Sequence, residues 1–530
     1  MSALSGRFAG PAGTHPVVAG RRRRYAAMLV ASALVPLAIA LAISVSQANG
    51  SLLLWVGLVI GAVGTVALIA YPRLEISVLV VILYLGLLDG PVKLGSGGHE
   101  SASVVRDVAI YAVATGALLR LIVRKESIKL PPLAGWALAW GMLVLVEALN
   151  PNTHGLTKAL GGFRQQLEWV PFFFFGYALI RSKRRFRQYF IVIGVIALAN
   201  GIVGTYQTTL SPAQLASWGP GYREFVFGST TPGQKGGFGA RVARQNGETR
   251  VRPPGLGSDA GGGAGWGARA IALTLALLSV ITLRRRWLYM LMVFGALAGV
   301  ATGEGRLQVV GAVLIVLLYA GLSLSGGRKM TRPVAAILTV VVLAIPIGAV
   351  FASALGSNTF SRYSSIAPSN ISTETKDTKT SSLKEIPNVI SQTPFGVGLG
   401  SVGASTGFGG VVEHEGLESH SVSAETQYNF VVDELGLPGL ILWVALTIRL
   451  LSLGLARVRR IRDTELRAYL TALLATLIGM TLIGFSGPTM SSAAWGPFFW
   501  STAGIFAYWF ITVPSRSADN DRLPMEAVPA

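Results

Sequence analysis

About fourteen apolar runs, several of them shorter than a full membrane span, constrain the fold of this 530-residue sequence more than any other feature. A helix needs about 20 apolar residues to cross roughly 30 Å of hydrocarbon. Hydrophobic residues make up 51% of the chain and charged residues only 13%, whereas soluble domains carry about a quarter of charged residues. We therefore predict an all-α polytopic membrane protein with about 14 transmembrane helices, at residues 26–46, 51–71, 74–88, 107–123, 133–149, 169–180, 189–206, 268–283, 287–301, 307–324, 334–353, 437–454, 466–485 and 495–513.

Basic clusters occupy every second loop between these runs, and they predict the orientation of the chain. Placing them in the cytoplasm puts 29 of the 45 Lys and Arg residues and 7 of the 25 acidic residues inside, so the inside carries +22 and the outside −2. This is the positive-inside asymmetry, and it predicts that both termini are cytoplasmic. It also accounts for the net charge of +20 without nucleic acid. The clusters are Arg21–Arg24, Arg120 with Arg124 and Lys125, Arg181–Arg187, Arg284–Arg286, Arg328 with Lys329, and Arg457–Arg462.

The predicted organisation follows this alternation. The first run, after its four arginines, is also similar to a secretory signal, but its length favours an uncleaved helix. The segments are a cytoplasmic N-terminal tail (1–25), transmembrane helices 1–7 (26–206), an extracytoplasmic Gly-rich loop (207–267), helices 8–11 (268–353), a large extracytoplasmic loop (354–436), helices 12–14 (437–513) and a cytoplasmic tail (514–530).

Metal and cofactor chemistry have little support in the sequence. There is no cysteine, and the five histidines do not have metal-ligand spacing. The glycines of 220–265 do not fit a phosphate-binding loop, so we interpret them as loop. We expect neither a bound metal nor a cofactor.

Three of the arginines on the predicted outer side lie near the membrane interface, against the positive-inside bias. They are Arg164 before a span, Arg252 in Arg-Pro-Pro-Gly, and Arg306 at the start of the tenth span. Arginine binds phosphate through two parallel hydrogen bonds, so three arginines at one membrane level favour an anionic ligand such as a lipid-linked diphosphate. The alternative is an interfacial arginine that snorkels or pairs with Glu168 or Glu304.

The end of the large outer loop concentrates polar residues. Helical spacing predicts a short amphipathic helix from Glu425 to Leu435, which Gly436, Pro438 and Gly439 then break. A structural cap before the next span would explain the glycines and the proline. It would not explain a cluster of potential general bases formed by Glu418, His420, Glu425, Asp433 and Glu434.

Three local patterns resemble the O-antigen ligase and polysaccharide polymerase family of membrane glycosyltransferases. They are Arg306 opening a span after a short outer loop, Pro394-Phe-Gly-Val-Gly-Leu-Gly400, and Glu425-Thr-Gln-Tyr through Asp433-Glu-Leu-Gly-Leu-Pro-Gly439. The resemblance covers roughly residues 160–450 and implies a GT-C-like architecture with two large extracytoplasmic loops.

The resemblance also implies an activity. Such enzymes transfer or polymerise glycan from a polyprenyl-diphosphate-linked donor to a glycan or lipid acceptor at the outer face of the cytoplasmic membrane, without metal. Arg306, Arg164 and Arg252 would hold the diphosphate. Where the family has His-Asn, this chain has Glu425-Thr426, with His420 five residues earlier; where it has an arginine ahead of the Pro-x-x-Gly-x-Gly stretch, this chain has Lys379. The resemblance therefore implies Glu425 or His420 as the general base and Lys379 as a further diphosphate ligand.

Two other classes of function remain as alternatives. A membrane transporter or lipid-glycan flippase also suits about fourteen spans, but such proteins bind substrates near the midplane, where this sequence has few acids and bases. A purely structural or binding protein would have no need of outer arginines.

Overall fold

The computed structural model describes residues 64–514, except 72, 96–99, 126–129, 154, 229–241, 246–247, 281–285, 304, 326–334, 336–379, 404, 406–425 and 491. The chain forms two compact units. One consists of the residues up to Leu79 together with Asp107–Lys129, and the other of Val80–Arg106 and the chain from Leu130 onwards. The predicted span at 26–46, and that at 334–353 apart from residue 335, lie outside the described residues.

The described chain is predominantly helical, as the hydropathy pattern predicts. Its helices are α1 (Leu74–Leu83), continuing through a π-helical turn (Tyr84–Leu88) into α2 (Asp89–Gly95), α3 (Glu100–Val123), α4 (Ala134–Glu147), α5 (Gly155–Leu167), α6 (Pro171–Leu179), α7 (Lys183–Thr208), α8 (Pro212–Ala216), α9 (Pro220–Phe227), α10 (Gly262–Val280), α11 (Arg286–Thr302), α12 (Arg306–Ser325), α13 (Thr380–Gln392), α14 (Gln427–Val458), α15 (Thr464–Ile483) and α16 (Gly496–Phe506), which ends in a π-helical turn (Ala507–Thr512).

A short antiparallel hairpin departs from an all-α chain. Strands β1 (Val242–Gln245) and β2 (Glu248–Val251) pair within the Gly-rich loop that is predicted to lie outside, with Ala243 opposite Arg250. The sequence predicts loop here, because four residues per strand are too few to show an alternating pattern. The dipeptide Asn246-Gly247 between the two strands is the signal in the sequence that favours a hairpin.

Six of the described helices are long and apolar enough to cross a membrane, which makes the chain a membrane protein by length and composition. Two further apolar helices, Ala134–Glu147 and Arg286–Thr302, are shorter. The six are Leu74–Gly95, Lys183–Thr208, Gly262–Val280, Leu307–Ser325, Gln427–Val458 and Thr464–Ile483.

Small residues let the central helices of the larger unit pack closely. A Cβ atom on Gly201 of α7 would lie 2.0 Å from the carbonyl oxygen of Gly295 in α11. One on Gly267 of α10 would lie 2.4 Å from the carbonyl oxygen of Ala296. Such contacts are typical of helix association in membranes, where close van der Waals packing replaces the hydrophobic effect.

In the smaller unit, glycine has the same role. A Cβ on Gly116 of α3 would lie 2.7 Å from the carbonyl oxygen of Ile69, which is buried with Ala112. Arg120, near the end of the same helix, donates from Nη1 to the carbonyl of Tyr71.

Polar contacts in the larger unit connect loops that the charge pattern assigns to the same side of the membrane. On the predicted inner side, Lys183 pairs with Asp463 at 2.9 Å and Arg187 with Glu465 at 2.8 Å. On the predicted outer side, Gln427 accepts from the backbone N–H of Thr489 at 2.8 Å. The two groups of contacts define an outer end and an inner end of the bundle, names we keep below.

Helix α14 has a break where the sequence predicts one. Gly436 has φ 60° and ψ −158°, and Pro438 follows in the next turn. A Cβ at Gly436 would lie 2.3 Å from the carbonyl oxygen of Pro394, so the chain requires glycine there both for its backbone angles and for space. The outer part, Gln427 to Leu435, is therefore a separate helical segment from the span.

Candidate functional site

A buried ionic cluster lies at the outer end of the bundle. Arg106 Nη1 lies 3.3 Å from Asp89 Oδ2, and Nη2 donates to Glu168 Oε2 at 2.9 Å. The guanidinium carbon lies 5.0 Å from the centroid of the Trp169 ring. Both carboxylates are almost fully buried. Arg106 thus pairs with Glu168. The alternative interpretation of the sequence had this glutamate as a partner of Arg164.

Lys93 connects this cluster to one of the predicted outer arginines. Its ammonium group interacts electrostatically with Arg106 and Arg164 and with the carboxylates of Asp89 and Asp259. Helix α2, helix α5 and the outer segment 252–262 therefore meet at one place. Arg164 itself is half-buried.

The segment that carries Arg252 is held by buried amides of α7. Gln207 exchanges two hydrogen bonds with the Gly255 backbone, at 3.0 and 2.8 Å. Asn200 accepts from the Leu256 N–H at 3.0 Å and donates to the Gly86 carbonyl at 2.9 Å. These bonds fix the backbone three residues after Arg252, whose own side chain is half-buried.

The backbone that carries Arg306 starts α12 beside the same segment. A Cβ on Gly303 would lie 2.7 Å from the Cβ of Ala264, and one on Gly261 would lie 3.5 Å from Gln308 Nε2. The side chain of Arg306 lies outside the described part of the chain, so its predicted contact with a diphosphate stays a prediction.

The Pro-Phe-Gly-Val-Gly-Leu-Gly stretch packs against the break in α14 at Gly436. Val397 donates to the carbonyl of Asp433 at 2.6 Å, and Leu437 donates to the carbonyl of Pro394 at 2.9 Å. The three glycines at positions 396, 398 and 400 have φ values of 91°, 103° and 79°, which side chains disfavour. The spacing of glycines in this motif is thus explained by the backbone conformation of the turn.

Glu434 is fully buried where this turn meets helix α5. It accepts from Gln166 Nε2 at 2.7 Å, from the Gly400 N–H at 3.1 Å and from Ser405 Oγ at 3.0 Å. A carboxylate occupied by three donors holds segments together. We therefore assign Glu434, one of the potential bases in the sequence analysis, to structure rather than to proton transfer.

Of the remaining potential bases, Asp433 lies within the described residues. Its side chain is 4% exposed, and its Oδ2 has no hydrogen-bond partner there. The two catalytic candidates, Glu425 and His420, and also Glu418 and Lys379, lie outside the described residues.

The residues directly after Glu425 are firmly held. Thr426 Oγ1 accepts from the Asn429 N–H at 3.1 Å and caps α14, while Asn429 donates to the Ser382 carbonyl of α13 at 2.8 Å. Gln427 donates from its backbone to Gly484 at 2.8 Å. A small cleft opens beside them, lined by Gln427, Tyr428, Trp443, Thr447, Thr489 and Phe499.

Sequence reasoning misses two groups of buried charges. The partners of Arg106 are 17 and 62 residues away in the chain, so no local spacing reveals them. Arg269 lies within an apolar run of α10 and is 1% exposed. A single arginine in an otherwise apolar span is a signal that could have identified it.

Fold and site together define a helical membrane protein with an ionic cluster at the outer end of its bundle. Comparison of the sequence with protein families and with curated proteins finds no match.

Proposed function

We propose that the chain is a metal-independent membrane glycosyltransferase, similar to O-antigen ligases and polysaccharide polymerases, that acts in the biosynthesis of a cell-envelope polysaccharide or exopolysaccharide. It would transfer or polymerise glycan from a polyprenyl-diphosphate-linked donor to a glycan or lipid acceptor. The reaction would take place at the outer face of the cytoplasmic membrane, with both termini in the cytoplasm.

The observation that carries this proposal is the position of helix α5. Arg164 on this helix interacts with Lys93, and the next two residues bind the motifs of the large outer loop. Gln165 donates to the Val402 carbonyl at 3.1 Å, and Gln166 donates to Glu434. One short helix thus places cations that suit a diphosphate beside the loop that leads to Glu425.

The chemistry follows from the charges. A diphosphate is the leaving group in this reaction, and cations that stabilise its developing negative charge lower the barrier. Arg106 is less suited to this task because two carboxylates already occupy its guanidinium. Arg164, Arg252, Arg306, Lys379 and Lys93 are the candidate diphosphate ligands.

Deletion of the gene tests the proposal, with surface glycans and lipid-linked precursors as the readout. We expect shorter or missing glycan and accumulation of precursor on the outer face. Complementation with Arg164→Lys should restore part of the glycan, and Arg164→Ala very little. Lysine keeps the positive charge but cannot donate two parallel hydrogen bonds to one phosphate as arginine does. Arg184→Ala, an exposed change at the inner end, is the matched control. Unchanged glycan with no precursor accumulation would contradict the proposal.

A lipid-glycan flippase remains the second candidate, and the observation that favours it is the buried Arg269 within a span. The same deletion distinguishes the two, because loss of a flippase leaves the precursor on the inner face. Access of an impermeant lectin or glycosidase to the precursor in intact cells shows on which face of the membrane the precursor lies.

Orientation is tested separately with single cysteines in a chain that has none of its own. Ser391 and Ser182 are exposed at the predicted outer and inner ends. An impermeant thiol reagent should label Ser391→Cys in intact cells, and Ser182→Cys only after permeabilisation. The opposite pattern would reverse the predicted topology.

A further inference from the structure

Arg269 lies inside the bundle and is not one of the residues of the ionic cluster described above. It follows the start of α10 by seven residues, or about 10 Å at 1.5 Å per residue. The residue is 1% exposed. A charged side chain at such a depth is costly unless it has a partner, and in membrane proteins it marks a functional site by default.

The contacts of Arg269 leave half of its guanidinium unused. Its carbon lies 3.7 Å from the centroid of Trp266 and 5.9 Å from that of Phe498. Nη1 donates to the carbonyl of Ala494, in the outer turn before α16. Among the described residues, Nε and Nη2 have no hydrogen-bond partner and no carboxylate pairs with the group, while Tyr189 interacts with it electrostatically.

The Nε and Nη2 atoms of Arg269 are arranged so that both can donate to the same ligand. In a planar guanidinium, the Nε–H and one Nη2–H bond point in the same direction and form a fork that matches two oxygens of one phosphate or carboxylate. A ligand in this fork would leave the bond from Nη1 to Ala494 intact. The aromatic ring of Trp266 covers one face of the guanidinium, which keeps the fork in a dry setting where such pairs are strong.

We propose that Arg269 binds the phosphate of a lipid through its Nε and Nη2 atoms. The surroundings favour a lipid over a free ion, because α10 is buried among apolar residues and lies within a candidate span. A phosphate attached to a hydrocarbon chain can enter such a site while its chain stays in an apolar environment. The inference does not rest on glycan transfer, and binding tests it without any measurement of activity.

The test uses purified full-length protein in detergent, with dioleoyl phosphatidate as the probe and dioleoylglycerol as the same lipid without phosphate. Binding is read from the shift of the thermal unfolding midpoint with ligand concentration. We expect saturable binding of phosphatidate and none of dioleoylglycerol. Arg269→Lys and Arg269→Gln should bind at least about tenfold more weakly, which corresponds to a loss of about 1.4 kcal/mol or more.

Two variants control for other effects. Arg459→Gln removes an equal charge at the exposed inner end, and Thr274→Val changes a buried position of the same helix whose hydroxyl bonds only its own backbone carbonyls. Both should bind phosphatidate as the wild type does. Equal affinity of the wild type and both Arg269 variants would overturn the proposal. Inorganic phosphate that binds as tightly as phosphatidate would overturn a lipid as the source of the phosphate.

A second measurement does not depend on whether the variants fold. Wild-type protein is irradiated with phosphatidate that carries a photoreactive group next to the phosphate, and the modified residues are mapped. Modification of Trp266, Phe498 or Ala494 is the expected result. Modification confined to the basic inner end would show that phosphatidate binds there instead.

Discussion

The side-chain amide of Gln166 donates to the carboxylate of Glu434 across 2.7 Å and joins helix α5 to the outer part of α14. The same carboxylate also holds the Gly400 backbone and the Ser405 hydroxyl. Three segments that are far apart in the sequence thus depend on one buried side chain. Its removal should affect the folded state before it affects any chemistry.

Replacement of Glu434 should therefore lower the free energy of unfolding, and the loss should grow with the number of hydrogen-bond donors that are left without an acceptor. Glu434→Ala leaves three buried donors, each at about 1–3 kcal/mol, and should markedly lower the thermal unfolding midpoint and the yield. Glu434→Gln should cost less, because the amide keeps an acceptor and the Ser405 hydroxyl can rotate. Fluorescence-detected size exclusion after heating measures both. A midpoint for Glu434→Ala equal to that of the wild type would show that the network contributes little.

Arg106 should contribute far more to stability than an exposed cation. Arg106→Met leaves Asp89 and Glu168 buried without this partner and should destabilise the protein by about 3–5 kcal/mol. Lys183→Ala removes an ion pair whose side chains are 48% and 43% exposed, and should cost far less, because water screens an exposed pair. The two variants are compared by thermal unfolding in the same detergent. A similar loss of stability in the two variants would contradict the buried character of the ionic cluster.

Asp463 should give the inner end a pH-dependent contribution to stability. The Leu466 N–H, which Asp463 caps at 2.9 Å, and Lys183 lower the pKa of this carboxyl. Because the folded pKa lies below the unfolded value of about 4, the contribution is present above pH 4 and is lost as the pH falls through the folded pKa. Asp463→Ala should cost about 1 kcal/mol at pH 7, mostly from the lost cap. The unfolding midpoints of the two proteins should converge as the pH falls below about 4, and a constant difference would contradict this origin.

The choice of general base is tested with a lipid-linked donor in liposomes. We expect Glu425→Gln to lose transfer, because glutamine keeps the shape of glutamate but cannot accept a proton. His420→Ala should retain transfer. If Glu425→Gln transfers at the wild-type rate and His420→Ala does not, His420 is the base. Asp433→Asn is the third variant, because the Asp433 Oδ2 atom has no hydrogen-bond partner among the described residues.

Features set by local chemistry could be predicted from the sequence. Gly436 and Pro438 indicate a break in the helix because both disfavour helical backbone, and the break lies at Gly436. Hydropathy predicts the spans that contain α7, α10 and α15, because their apolar runs are long enough to cross a bilayer.

Features set by distant partners could not be predicted. Nothing near Arg106 indicates that it pairs with Glu168, because only the packing of the bundle brings the two together. No sequence feature near Gln166 indicates that its side chain contacts Glu434, 268 residues later. Arg269 differs, because its one charge leaves the surrounding run apolar enough to predict a span, while a lone arginine in such a run is itself a signal of a functional residue.

The non-helical backbone at Gly436 divides helix α14 into two helical parts. Below it, the helix runs on without interruption to Val458; above it, Gln427 and Asn429 are tied to the turn after α15 and to α13. A helix transmits rotation along its axis only while its backbone remains helical, and at Gly436 it does not. The outer segment next to Glu425 is therefore oriented by its contacts with α13 and with the turn after α15, and not by continuous helical backbone from the span.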